Sequence, residues 1–196
     1  MRITGYMLAL GVMVLVACDD RRDKYESISS PATTGNVSLA SNGITPGYTP
    51  DGKPIERINT GNTTPAELLA FANSLTGIPY LYGSTDPKRG FDCSGFITYV
   101  FNHFNIVVPR RSVDFTEVEK EIDIRQAKTG DLVLFTGTDS TSRVVGHMGI
   151  LIADENEPLK FIHSTSGKAY GVTTTPLNPY YMGRYMKTIR IFKQNK

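Results

Sequence analysis

Hydrophobic and polar positions fall into three regimes along the 196-residue chain. Residues 6–17 form an apolar run broken only by Gly11 and preceded by Arg2. The run is short for a bilayer span, and its length and basic start match the apolar region of a secretory signal. Over residues 19–63 periodicity vanishes and Ser, Thr, Gly, Asn and Pro dominate, which predicts a flexible tether without a core. Helical spacing then begins at Thr64-Pro65-Ala66-Glu67, a capping box with proline in the first turn. Leu68, Leu69, Ala72 and Leu75 continue it, and Gly77 ends the helix. A second helix is predicted over 93–104, with Phe96, Ile97, Val100, Phe101 and Phe104 as its apolar face and Asp92 as its N-cap. A short helical turn is expected near 112–118. Beyond it the period changes to two. Strands are predicted over 131–135, 146–153, 159–164, 172–175 and 186–192, separated by turn residues at 137–142 and 154–158. Helices first and antiparallel strands second predict an α+β domain over 64–196, behind a signal (1–17) and a tether (18–63).

Composition changes this picture little. The formal net charge of +2 is too weak to argue for nucleic acid. The basic pairs Arg21-Arg22 and Arg110-Arg111 read as solvated turns. Cysteine usage changes it more, because the chain has only two. Leu15-Val16-Ala17-Cys18 resembles the lipobox of bacterial lipoproteins, in which cleavage leaves the cysteine as the first residue, carrying lipid. The rival is an ordinary signal peptide with an incidental cysteine. Lipidation would spend Cys18 and leave Cys93 without an intramolecular partner. Exported proteins usually pair their thiols, so Cys93 is either a small buried hydrophobe or a reactive group.

Its setting favours reactivity. At a helix N-terminus, unpaired amides and the helix dipole favour thiolate, while burial against Phe91 and Phe96 opposes it. His147 lies on a predicted strand, sharing a face with Gly149 and Leu151. Gly146 and Gly149 clear space around it for another group. His163 lies on the next strand, where a hairpin sets the two imidazoles side by side. These positions suit Cys93 as nucleophile, His147 as general base and acid, and His163 as the group holding the tautomer of His147. His103, ten residues beyond Cys93 on the same helix, is structural. The chain has no HExxH or paired CxxC pattern, so zinc hydrolysis finds no support.

The order of motifs from Thr64 onward resembles the NlpC/P60 family of bacterial cell-wall cysteine peptidases. The matching segments are Gly77-Ile78-Pro79-Tyr80-Leu81-Tyr82-Gly83, Phe91-Asp92-Cys93-Ser94-Gly95-Phe96 and Pro109-Arg110-Arg111-Ser112. They continue with Thr129-Gly130-Asp131-Leu132-Val133-Leu134-Phe135, Gly146-His147-Met148-Gly149-Ile150 and Phe161-Ile162-His163-Ser164. The resemblance implies a papain-like fold, with N-terminal helices packed on an antiparallel sheet. It also implies a catalytic triad of Cys93, His147 and His163, with Tyr80 helping to stabilise the oxyanion. Asp92 and Ser94 match positions that line the substrate cleft in some members, although Asp92 as a plain N-cap is an equally good reading. Gly130-Asp131 is expected to shape the turn into a core strand. Ser84 replaces a usual glycine, and the loop into the cysteine and the turn between the histidines are longer than in compact members.

The function this implies is hydrolysis of amide bonds in peptidoglycan peptides by a lipid-anchored, monomeric thiol peptidase of the bacterial envelope. It would act on the extracytoplasmic or periplasmic face, without metal, cofactor or nucleic acid. Rivals are amidase or acyl-transfer chemistry on the same fold, a non-catalytic wall-binding lipoprotein, and a structural metal site made of Cys93, His147 and His163.

Overall fold

The computed structural model describes residues 53–139 and 141–195, all within the unit Ser41–Lys196. The expected signal, Cys18 and the tether up to residue 52 lie outside the described residues.

The first helix, α1 (Pro65–Ser74), starts at the predicted capping box: Thr64 accepts from the Glu67 amide while the Glu67 carboxylate accepts from the Thr64 amide. A minimal hairpin, β1 (Thr85–Asp86) and β2 (Gly90–Phe91), leads into α2 (Cys93–His103), which Asp92 caps by accepting from the Gly95 amide. His103 stacks on Phe71 with ring centroids 3.7 Å apart. It therefore ties α2 to α1 and has the structural role expected of it. The helical turn after α2 is a 3-10 segment, Ser112–Phe115.

The sheet comprises β3 (Glu121–Ile122), β4 (Leu132–Thr136), β5 (Val145–Ile152), β6 (Lys160–Thr165), β7 (Gly171–Pro176) and β8 (Tyr185–Ile189). Its order is β3-β8-β4-β5-β6-β7, antiparallel throughout. Five of these strands match the predicted runs to within a few residues. The two-residue β3 is too short to carry a periodic signal. Between β7 and β8 lies α3 (Pro179–Gly183), capped by Asn178.

Strand alternation sorts the sheet into two faces. Leu132, Leu134, Met148, Ile150 and Ile162 join the helices in the main core. Val133, Phe135, Leu151 and Phe161 pack with Tyr181 of α3 on the other face. His147 and His163 belong to this second face, in register with Phe135 and beside Phe161 respectively.

Two expectations need correction. The coreless segment does not extend to Thr63, because Ile55 and Ile58 are buried in the main core. The Glu119 amide donates to the Glu56 carbonyl at 2.8 Å, and the Ile58 amide to the Glu119 carboxylate at 3.0 Å. Isolated isoleucines in a polar stretch carry no periodicity, so this docking is visible only through its partners. Nor is Arg110 part of a solvated turn. It reaches back to the start of α2 and pairs with Asp92, while Arg111 alone is exposed and pairs with Asp114.

Candidate active site

Cys93 opens α2 and is buried, with its thiol donating to the Gly146 carbonyl at 3.8 Å. That contact sets the nucleophile candidate against the start of β5, one residue before His147. Gly95 makes the close seat possible: a Cβ there would stand 2.0 Å from the Ser84 carbonyl oxygen, so the first turn of α2 presses directly on the preceding loop. A second tie comes from β6, where the Ser164 hydroxyl donates to the Phe91 carbonyl at 2.7 Å.

The two imidazoles meet as the hairpin pattern predicts. His147 Nε2 lies 2.8 Å from His163 Nδ1, and His163 Nε2 lies 2.9 Å from Thr175 Oγ1. In the tautomer where His163 Nε2 donates to Thr175 and His147 Nε2 donates to His163, Nδ1 is left as the basic nitrogen of His147. Gly149 gives the rings room, since a Cβ there would come within 2.6 Å of Phe161 and 3.2 Å of the His163 Cβ. Tyr181 closes the stack, its ring 5.6 Å from His163 and 6.2 Å from His147. The 2.8 Å contact leaves no space for an ion bridging those nitrogens, because each zinc–nitrogen bond needs about 2.0–2.1 Å. Among the described residues, no group of three or more His, Cys, Asp or Glu is placed to hold a metal ion.

Tyr80 is held by backbone bonds on both sides. Its amide donates to the Tyr170 carbonyl at 3.0 Å, while Phe91 bonds both its neighbours, donating to the Pro79 carbonyl at 3.0 Å and accepting from the Leu81 amide at 3.1 Å. The segment thus sits between β7 and β2, and its ring lines the same cleft of about 600 Å³ as Cys93 and His147. Burial, then the charges of Cys93 and Asp92, push the Tyr80 phenol up to about 12, so it remains a donor.

Asp92 does more than cap. Its carboxylate takes two bonds from Arg110, at 3.1 and 2.9 Å, and Arg110 also donates to Ser94 at 3.0 Å. Both residues named as cleft positions are therefore locked by one guanidinium. Burial pushes the Cys93 thiol up to about 11, aided by the Asp92 charge and opposed by nearby backbone amides. Burial likewise holds His147 and His163 well below the ordinary imidazole range. Burial thus opposes the helix dipole and favours the neutral thiol and the neutral imidazole over the ion pair. Three residues here were not singled out from sequence: Arg110 stood within a quoted motif, but Thr175 and Arg184, the latter lining the same cleft, had no local signal.

Comparison with known proteins places this domain. The profile of the NlpC/P60 family matches residues 77–190, more than half of the chain. The chain is 32% identical over 134 residues to the gamma-DL-glutamyl hydrolase of Bacillus subtilis (strain 168), spanning 68% of this chain and 32% of that protein. It is 33% identical over 121 residues to the murein DD-endopeptidase MepS/murein LD-carboxypeptidase of Escherichia coli (strain K12), spanning 61% of this chain and 58% of that one. It thus covers less than two thirds of the length of either relative. A solved NlpC/P60 family protein from Bacillus cereus superposes with a TM-score of 0.59 at 28% identity, over 68% of this chain and 42% of that one. The NlpC/p60 domain of the peptidoglycan hydrolase SagA gives a TM-score of 0.52 at 26% identity, over 65% and 99%. Profile, sequence and fold agree over the domain that holds Cys93, His147 and His163: the chain belongs to the NlpC/P60 family.

Proposed function

We propose that this protein is a thiol peptidase that hydrolyses amide bonds in peptidoglycan peptides, held at the bacterial envelope by lipid on Cys18. The observation that carries the reading is that Cys93, His147 and Tyr80 line one cleft, with His147 backed by the chain His147–His163–Thr175. The relatives, a gamma-DL-glutamyl hydrolase and a murein DD-endopeptidase, support the substrate class.

In this reading His147 Nδ1 takes the proton of the Cys93 thiol as Sγ attacks the scissile carbonyl carbon. His163 holds the Nε2–H tautomer of His147 and shares the imidazolium charge. The carbonyl oxygen becomes an oxyanion, stabilised by the Cys93 amide and the Tyr80 hydroxyl. As the carbon–nitrogen bond breaks, His147 returns the proton to the departing amine and a thioester remains. Water then adds to the thioester with His147 as base. Its collapse releases the carboxylic acid and the thiol.

Since burial favours the neutral pair, the proton in this reading moves within the attack step. A low-dielectric site with preset donors makes that transfer economical, since little solvent has to reorganise. Mass spectrometry of peptides released from purified cell wall tests the proposal, with Cys93→Ala as control. New peptide termini that depend on Cys93 are expected. Intact wall peptides, or equal release by the variant, would overturn it.

A further inference from the structure

The cleft runs from the thiol past His147 to a wall made by α3 and the turn after β6, and that half holds an unbalanced charge. Arg184, the C-cap of α3, is only 8% exposed and lines the cleft with Tyr180, Tyr181 and Lys168. Its Nη2 donates to the Thr136 carbonyl at 2.9 Å and its Nη1 to the Tyr180 hydroxyl at 2.9 Å. The buried Nε has no acceptor.

The other two shielded arginines, Arg110 and Arg190, are each paired with an aspartate. None of the ion pairs among the described residues involves Arg184. Among the described residues, no Asp or Glu lines the cleft. A buried cation without a counter-charge is costly unless a ligand supplies one. Tyr180 is 61% exposed, so its phenol oxygen occupies an acceptor position that it can vacate.

We propose that Arg184, with the exposed Lys168 at the rim, forms a subsite for a free carboxylate on the residue whose amine is released. This rests on the peptidase reading above. His147 must hand its proton to the departing amine, so the leaving residue lies on the imidazole side of the thiol, the side that Arg184 walls. The cluster of Asp92, Ser94 and Arg110 is not part of this wall. In peptidoglycan, the bond from D-glutamate to the diamino acid and the cross-link between stems both release a diamino acid. Where that residue is diaminopimelate, its second carboxylate stays free, and a planar guanidinium suits it. Burial, then the charge of Arg184, holds His147 below its ordinary range. A bound carboxylate offsets that charge when the imidazole must accept a proton.

The test uses a cross-linked stem-peptide dimer whose diaminopimelate carboxylates are free, beside the same dimer with those groups amidated. Full-length protein is expected to cleave the free acid with a kcat/KM at least about tenfold above the amide, a usual scale for a charge-assisted contact. Arg184→Gln should bring that ratio close to one, and Arg184→Lys should keep part of it. Equal cleavage of both dimers by the unmodified protein overturns the subsite whatever the variants do. So does an unchanged ratio in a folded Arg184→Gln.

Binding of both dimers to Cys93→Ala, read by calorimetry, separates this idea from the catalytic one. Tighter binding of the free acid without any cleavage would sink the peptidase reading and keep the subsite. Cleavage without discrimination would do the reverse, and neither binding nor cleavage would overturn both.

Discussion

Two imidazoles held neutral inside the second face should make the fold sensitive to mild acid. His163 is fully buried and His147 nearly so. Burial, followed by the positive charges around them, keeps both well below the ordinary value of 6.5. The sign follows from linkage. Between the depressed folded values and about 6.5, the unfolded chain binds protons that the folded chain refuses, so stability falls as pH falls through that window. Above about 7 neither state is protonated at these sites and the contribution is flat. Each group contributes about 1.4 kcal/mol per pH unit once well below 6.5. Lowering the pH from about 7.5 to 5.0 should then cost about 2 kcal/mol per histidine, or about 4 for the pair, out of a typical total of about 5–15. Glu67, Asp123 and Asp139 are held low by hydrogen bonds from Thr64, Arg125 and Thr141. Since their ordinary values are 4.5, 3.8 and 3.8, their contribution is lost mainly below about pH 5.0, the acid end of this comparison. Urea unfolding at the two pH values measures the loss. The His147→Gln/His163→Gln double variant should lose less than about 1 kcal/mol over the same interval, with His103 retained in both proteins. Equal losses in the two proteins would refute the claim that the pair is buried uncharged.

Further outcomes concern chemistry, packing and location. Cys93→Ser should lower turnover by several orders of magnitude with an unchanged melting curve, and near-normal wall hydrolysis would end the thiol mechanism. His163→Gln should keep more activity than His147→Ala, since one group orients and the other transfers the proton; the reverse order in a steady-state assay would mean that the roles are exchanged. Gly95→Ala should destabilise the domain by about 1–3 kcal/mol, because its Cβ meets the Ser84 carbonyl at 2.0 Å; an unshifted melting temperature would show that the loop yields freely. Cys18→Ala should move active protein from the membrane to the soluble fraction on fractionation, and unchanged partitioning would remove the lipid anchor.

Features legible in the sequence were those written in local spacing. The Thr64–Glu67 box, the Asp92 cap and the alternation along β4 to β7 each act over a few residues. The hairpin logic that joins His147 to His163 uses only neighbouring strands. Arg110 was misread because an arginine pair looks the same whether it meets water or a carboxylate 18 residues back. Thr175 is one threonine among several until the pairing of β6 with β7 sets it diagonal to His163. Arg184 acquires meaning only when α3 folds its end over the cleft. Ile55 and Ile58 lie in a stretch whose composition reads as tether, and their burial depends on Glu119, 61 residues from Ile58.

That last docking also has a mechanical meaning. Any chain running ahead of residue 53 pulls on the domain through the strap of Ile55 to Thr60, not on α1 directly. The strap is fastened by two buried isoleucines and by a two-point clasp at Glu119, whose amide and carboxylate grip Glu56 and Ile58. Tension on an anchored molecule would first strain that clasp. The thiol and imidazoles, seated between α2, β5 and β6, would keep their spacing until the strap had peeled away. In an anchored molecule the strap would therefore serve as a strain relief between the anchor and the geometry of the cleft.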